Sequence, residues 1–477
     1  MKTVRDLPGP KGLPLLGNLL QLDVKRLHRQ LEEWANQFGS TYVFEIARKP
    51  VVVFTDPEHI QTILRNRPKI YRRLSSIEPV FKEMGINGIF SAEGDDWKRQ
   101  RRLTSHAFDS KHLQQFFPTL LKVTDRLRRR WLKVAEKDAE PIDVQQDFMR
   151  YTVDVTTNLA FGYDMNTLES DGDIIQEHLE KIFPAINRRV NAPFPWWRYF
   201  KLPQDRALDK ALTAIRDSID RFIAESRARL KNNPDLAAHP TNLLEAMLTA
   251  RDEGDAAFSD DEIHGNALTM LLAGEDTTAN TLAWMTHFMS EIPEVQGRMQ
   301  SEAKAVVAGN GLIANLSDTE KLPYIEAVTH ETMRLKPVAP VLFLETIEPA
   351  EIANISLPPG AALMTLMMHG GFQDSHFANA SAFKPERWMQ PEEAIAGCPH
   401  NTRAFTPFGG GPRVCPGRHL ALIEIKTAMS MLCAAFQIEK PHGAPDPTEL
   451  FSFSMMPENL HLTIRPKPEA KSNGSVV

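Results

Sequence analysis

The stretch FGGGPRVCPG, residues 408 to 417, sets Cys415 in a loop with four glycines and two prolines. Most lone cysteines are small hydrophobes with no chemistry, but this backbone is unusual enough to ask for more. A thiolate stays deprotonated when positive charge, a helix N-terminus or a metal is nearby. Arg413 lies two residues before Cys415, and a helix is expected just after it, from about Arg418 to Phe436. The glycines let backbone N–H groups approach the sulfur, and such hydrogen bonds tune a metal-bound thiolate.

Three other constellations carry chemistry. AGEDTT, Ala273 to Thr278, places an acid beside two hydroxyls in the middle of a helical pattern. Glycine there costs about 1 kcal/mol against alanine, and Thr277 and Thr278 are poor interior helix formers. A hydroxyl bonded back to the i−4 carbonyl can bend a helix, so the blander reading is a kink with solvent-facing Glu275 and Asp276. HETMRL supplies Glu331 and Arg334 on one helix face, and FKPERW supplies Arg387. Taken alone, the Glu–Arg pair reads as a solvated surface ion pair. DDWKRQRR puts Trp97 and Arg101 four residues apart, and indole and guanidinium are both pure donors suited to an anionic oxygen. Its blander reading is a basic amphipathic helix with one buried tryptophan.

The elements that must position these groups are mostly helices. The segment SDDEI starts the longest one, where Ser259 and Glu262 form a capping box. Its pattern runs roughly thirty residues, about 45 Å, enough to cross a domain. Residues 27–38 also recur at helical spacing, 41–54 read as two short strands around Arg48–Pro50, and about 100–335 is predominantly helical. Residues 231–242 are the clearest loop, and 337–410 break into proline-rich irregular segments with short strands. No repeat or low-complexity linker divides the chain.

Composition agrees with an ordinary globular protein. Its 477 residues are 42% hydrophobic and 24% charged, and a net charge of −6 argues against nucleic-acid binding. Cys398, Cys415 and Cys433 make no disulfide framework and no CxxC zinc pair, which fits a reducing cytoplasm. No stretch reaches about 18 uncharged apolar residues, so a membrane helix is not expected.

Together these segments resemble the haem-thiolate monooxygenases, the cytochromes P-450. Phe408, Gly411, Arg413, Cys415 and Gly417 match the fixed positions of that family's cysteine loop, and Ala421 follows at its usual place. Ala273, Gly274, Asp276, Thr277 and Thr278 match its oxygen-activation segment. Glu331 and Arg334 match its ExxR, and Pro385, Glu386 and Arg387 its PERF-like segment. The resemblance runs from Leu7 to Ile464.

It implies a mainly α fold, a large helical part with a smaller β-rich part and a long central helix over haem. Residues 1–477 would be one domain, with 1–25 a proline-rich opening segment and 466–477 a flexible tail. Cys415 would be the axial ligand of the iron of haem b, with Phe408 packed near its sulfur. Trp97, Arg101 and Arg413 would hold the propionates, helped by Arg72 or Arg73. Asp276 and Thr277 would deliver protons for dioxygen cleavage, while Ala273 and Gly274 leave room for O2 and substrate. Glu331, Arg334 and Arg387 would form a structural charge triad. Met84, Ile89, Ala273, Thr277, Val338, Ala339, Val341 and the FSM at 453–455 would line an apolar pocket.

The implied reaction inserts one oxygen atom into a hydrophobic small molecule, a hydroxylation or epoxidation. Electrons would come from NAD(P)H through a ferredoxin or flavodoxin docking on Lys98, Arg99, Arg102 and Arg418. A soluble, cytoplasmic, monomeric, bacterial-type enzyme is expected. Peroxide-driven turnover and a non-catalytic sensor are the rivals, and the intact acid–threonine pair argues against both. Two departures stand out. No basic residue occurs in Phe343–Thr346 to meet a propionate, and the family's HRD-like segment is FQD here, at 372–374.

Overall fold

The computed structural model of the protein describes residues 2–108, 110–136, 140–170, 175–192, 194–252, 259–389 and 402–468. Cys398 and positions 469–477, most of the expected tail, lie outside them. The architecture is mainly helical with small sheets at the periphery.

Its axis is the helix Asp260–Glu291, 32 residues long. The expected capping box starts it: the Ser259 backbone N–H donates to Glu262, and the Glu262 N–H donates back to the Ser259 hydroxyl at 3.2 Å. The helix is buried around nearly its whole circumference, the pattern of an element through the middle of a protein. It runs unbroken through AGEDTT, so the local cost of Gly274 and two threonines is absorbed by packing and does not produce a break.

Two apolar cores meet along this helix. Residues from Ile263 to Leu272 pack with Phe81, Phe161, Phe222 and Met247. Residues from Ala279 to Met289 pack with Trp131, Phe148, Ile425 and Leu432. Ala273 to Thr278 therefore occupy the seam between the cores.

A five-stranded sheet lies to one side in the order Thr41–Ile46, Lys49–Phe54, Ala362–Leu366, Val341–Thr346, Tyr71–Arg73. The expected hairpin at 41–54 is present, but its turn is at Ala47 and Arg48, both at positive φ, and not at Arg48–Pro50: Lys49 and Pro50 already pair with Ile46 and Glu45. At the far edge Arg73 pairs with Leu344. A second hairpin, Thr448–Ser452 with Ser454–Glu458, turns on the single residue Phe453. The C-terminal helix Arg418–Ala435 begins immediately after the cysteine loop and buries its length in the larger core.

Candidate active site

The cysteine loop is shaped by close approach. Gly411 has φ +63°, and a Cβ there would sit 2.7 Å from the Leu64 carbonyl carbon and 2.9 Å from Arg65 Cα. The Cys415 N–H donates to the Phe408 carbonyl at 2.9 Å, which folds the loop back on itself. Phe408 packs against the larger core. Cys415 retains exposed surface although protein surrounds it densely enough for burial to push its thiol pKa up. The Gly417 N–H and the Arg101 charge oppose that rise. A loop N–H thus acts on this sulfur as the sequence suggested, but the nearby cation is Arg101 and not Arg413, which is turned to Glu93 and Trp97.

The basic cluster beside it is larger than expected. Arg413 stacks over Trp97 at 4.7 Å and donates to Glu93 at 2.7 Å. Arg101 is close enough to Cys415 to feel its charge. The structure separates Arg72 from Arg73. Arg72 is engaged by Glu78, whereas Arg73 turns inward over the Phe90 ring at 3.9 Å and donates to the Phe90 carbonyl. Arg67, which sequence reasoning missed, is buried in the same cluster. Burial, together with the neighbouring guanidinium charges, pushes Arg73 down to about 9 and Arg413 down to about 10.

Such a cluster asks for an anionic partner. The Nε atoms of Arg67, Arg73 and Arg413 are buried with no acceptor, and a buried orphan donor costs about 1–3 kcal/mol. Glu93 is the carboxylate that faces all three, so the donors outnumber the acceptors. A group carrying two carboxylates, as haem does, fits this set. Arg73 also answers the missing basic residue at Phe343–Thr346, because its strand lies beside that one.

On the central helix, Ala273 is exposed and Thr277 half-buried amid otherwise buried neighbours, which makes this seam an accessible patch. The Thr277 hydroxyl donates to the Ala273 carbonyl at 2.9 Å. Asp276 is 4% exposed, against the solvent-facing alternative. Burial raises its pKa to about 6, and the hydroxyl of Ser454, which donates to Asp276 Oδ2, pulls the other way. Glu275 is equally buried, with Oε1 unpartnered, and burial raises its pKa well above the ordinary value. Gly274 has a packing role that the sequence did not show: a Cβ there would come within 3.0 Å of Thr156 Cβ, so its smallness serves helix–helix contact.

The Glu–Arg pair is fully buried, which overturns the surface reading. Arg334 donates to Glu331 at 2.9 and 2.7 Å, and Arg387 donates to the same carboxylate at 3.1 Å. Trp388 Nε1 and the Lys384 N–H complete its shell at 2.8 Å each. Arg334 also donates to the carbonyls of Gly371, Ala380 and Ala382, tying down the irregular segment before the cysteine loop.

The pocket expectations divide. Val338 keeps accessible surface, but Met84, Ile89 and Val341 are core residues. Met84 ends the short helix Glu78–Glu83 and folds into the cluster around Phe81, and Val341 packs against the sheet and Trp284. Ala339 faces a separate small recess shared with Met367 and Phe405. Phe453 of the expected FSM sits in an aromatic group whose other members the sequence did not point to: it stacks on Phe183 at 5.2 Å and meets Phe81 and Phe90 edge-on. On the proposed basic face Arg99 is committed to Glu262 and Lys98 to Asp95, leaving Arg102 and Arg418 exposed.

A loop that presents a cysteine sulfur, a donor cluster for two carboxylates and an acid–threonine pair on a central helix define a haem-thiolate enzyme. Residues 7–464 match the family model for Cytochrome P450. The chain belongs to the cytochrome P450 family. It is 28% identical over 449 residues to human Cytochrome P450 3A5, covering 91% of this chain and 85% of that one. Protein LUTEIN DEFICIENT 5, chloroplastic, of Arabidopsis thaliana is 26% identical over 450 residues, covering 90% and 73%. Cytochrome P450 3A6 of Oryctolagus cuniculus is 27% identical over 448 residues, covering 91% and 86%. These relatives are eukaryotic and lend no support to the bacterial-type expectation. The family's members are haem-thiolate monooxygenases, so this chain is an oxidoreductase that uses haem and O2. Among the described residues no helix is long and apolar enough to cross a membrane.

Proposed function

We propose that the chain transfers one oxygen atom from O2 to a hydrophobic small molecule, with electrons supplied from NAD(P)H by a separate ferredoxin- or flavodoxin-type protein. The observation that carries this reading is the acid–alcohol pair Asp276 and Thr277 at mid-helix, where the acid is buried and Thr277, beside exposed Ala273, keeps accessible surface. Haem, when bound, supplies iron redox chemistry at dioxygen. Cys415 Sγ is the iron ligand in this reading, and Gly417 and Arg101 stabilise its negative charge. Arg73, Arg101, Arg413 and Trp97, with Arg67 behind them, hold the two carboxylates.

Asp276 holds a transferable proton, because a carboxyl near pH 6 can both give and take one at neutral pH. The Thr277 hydroxyl, tethered to the Ala273 carbonyl, keeps its oxygen free to accept from a second donor or a water. Val338 and the rings of Phe81, Phe90, Phe183 and Phe453 exclude water and favour an apolar substrate. Arg102 and Arg418 form the exposed positive surface offered to an acidic electron donor.

The test is isotopic. Purified protein with NADPH, a reductase and a ferredoxin under labelled O2 should yield product carrying one labelled oxygen per molecule. Equal labelling from hydrogen peroxide alone, with no dependence on the electron donor, would replace this reading with the peroxide-driven one.

A further inference from the structure

The hairpin Thr448–Glu458 reaches the buried acid directly. Its two strands are joined by Phe453 alone, which is held at φ +78°. A bulky side chain in that region is strained, by about 1–3 kcal/mol, and persists only where its surroundings over-determine it. The base of the hairpin is well clamped. Glu449 accepts there from His28, Arg29 and Lys336, and nearer the tip the Met455 N–H donates to the Val338 carbonyl at 2.8 Å. At the turn itself, two side-chain contacts hold Phe453 and its neighbour. The Phe453 ring lies within the group of Phe183, Phe81 and Phe90, and the next residue, Ser454, donates its hydroxyl to Asp276 Oδ2.

We propose that Ser454 is a positioning residue for Asp276, and that through the strained turn at Phe453 it ties the aromatic wall of the pocket to the proton on that acid. The inference rests on the function proposed above. Ser454 and Asp276 are both buried, so water does not replace the hydroxyl when it leaves. Ionised Asp276 accepts the Ser454 hydroxyl as a charge-assisted bond, which protonation weakens. Moving the Phe453 ring pulls Ser454 away and favours the protonated acid. The coupling is reciprocal, as any linkage must be. An apolar molecule that displaces the ring therefore loads a proton onto Asp276 as it binds.

Other titratable groups near the acid are accounted for. Glu275 adjoins it in sequence, and burial raises its own pKa well above the ordinary value. Asn280, one turn on, favours the ionised form more weakly, and its Nδ2 reaches no acceptor at hydrogen-bond distance. On the packed helix Val144–Phe161, Asp147 is engaged by Trp131 and Arg130, and Asp154 by Thr167. Glu449 on the hairpin is engaged by its three cations.

The test follows the infrared C=O stretch of protonated Asp276, assigned by its loss in Asp276→Asn, between about pH 5 and 8. Each holoprotein is first checked for the red-shifted ferrous–CO band. In the wild type the stretch should fade as pH rises through about 6. Ser454→Ala should raise that midpoint by about one unit, a tenfold gain in proton affinity, and Ser454→Thr should restore it. Phe453→Leu should raise it in the same direction, and the double variant should go no further than Ser454→Ala alone. Phe453→Met serves equally if the leucine variant does not fold. A wild-type midpoint retained in Ser454→Ala, or no Asp276 stretch in this range, overturns the positioning role. Additive shifts in the double variant overturn the link to the turn. A missing ferrous–CO band speaks against the haem-thiolate reading itself, which separates the two failures.

Discussion

Replacing Arg334 with alanine removes the centre of the buried charge cluster behind the cysteine loop. Arg334 and Glu331 have no exposed side-chain surface. The substitution leaves Glu331 with Arg387, the Lys384 N–H and Trp388, so part of its charge loses compensation, and breaking a buried pair typically costs about 3–5 kcal/mol. The carbonyls of Gly371, Ala380 and Ala382 also lose their donor. Any of these left dry adds about 1–3 kcal/mol. With one carbonyl left dry the sum is at least about 4 kcal/mol, a large share of a whole domain's typical stability of about 5–15 kcal/mol. Arg334→Ala should therefore yield little soluble, haem-loaded protein. Arg387→Ala should cost less, because Glu331 keeps its bidentate partner. The assay is haem content per polypeptide with urea unfolding of whatever is recovered. Wild-type haem content and a midpoint loss worth under about 1 kcal/mol in Arg334→Ala would refute the reasoning, since a buried carboxylate cannot lose such a partner cheaply.

Two further outcomes follow from the central helix. Thr277→Ala should fold and bind haem normally, because alanine is the better helix former. Product per NADPH should fall about tenfold while peroxide rises, a change of about 1.4 kcal/mol in partitioning; unchanged coupling would make Thr277 an ordinary helix residue. Asp276→Asn should be more stable than the wild type at pH 8. The folded-state pKa of Asp276, about 6, lies above its ordinary value of 3.8, so stabilisation from its proton is present below about pH 4 and lost as pH rises through 6. The gap of about two units bounds the gain at about 3 kcal/mol, and urea unfolding at pH 8 and pH 4 should show it at the first and not the second.

The site was legible in the sequence where backbone chemistry is local. The Gly411 conformation, the Ser259 capping box and the helical spacing of Trp97 and Arg101 each depend on a few neighbouring residues. Long-range contacts were not. Nothing in RPKIYRR says that Arg73 turns inward while Arg72 meets Glu78, because alternate strand residues differ only in face. Nothing in FSM says that Ser454 reaches an acid 178 residues away. Nothing in AGEDTT says that Gly274 packs against Thr156 of another helix. Burial decided the Glu331–Arg334 pair, and a three-residue motif carries no information about burial.

The central claim is that Cys415 is the thiolate ligand of haem iron. The most direct measurement is the ferrous–CO absorption spectrum of the wild type beside Cys415→Ala. The wild type should show the strongly red-shifted Soret band of thiolate ligation, and the variant should lose it even where haem is retained. The same red-shifted band in Cys415→Ala would contradict the assignment.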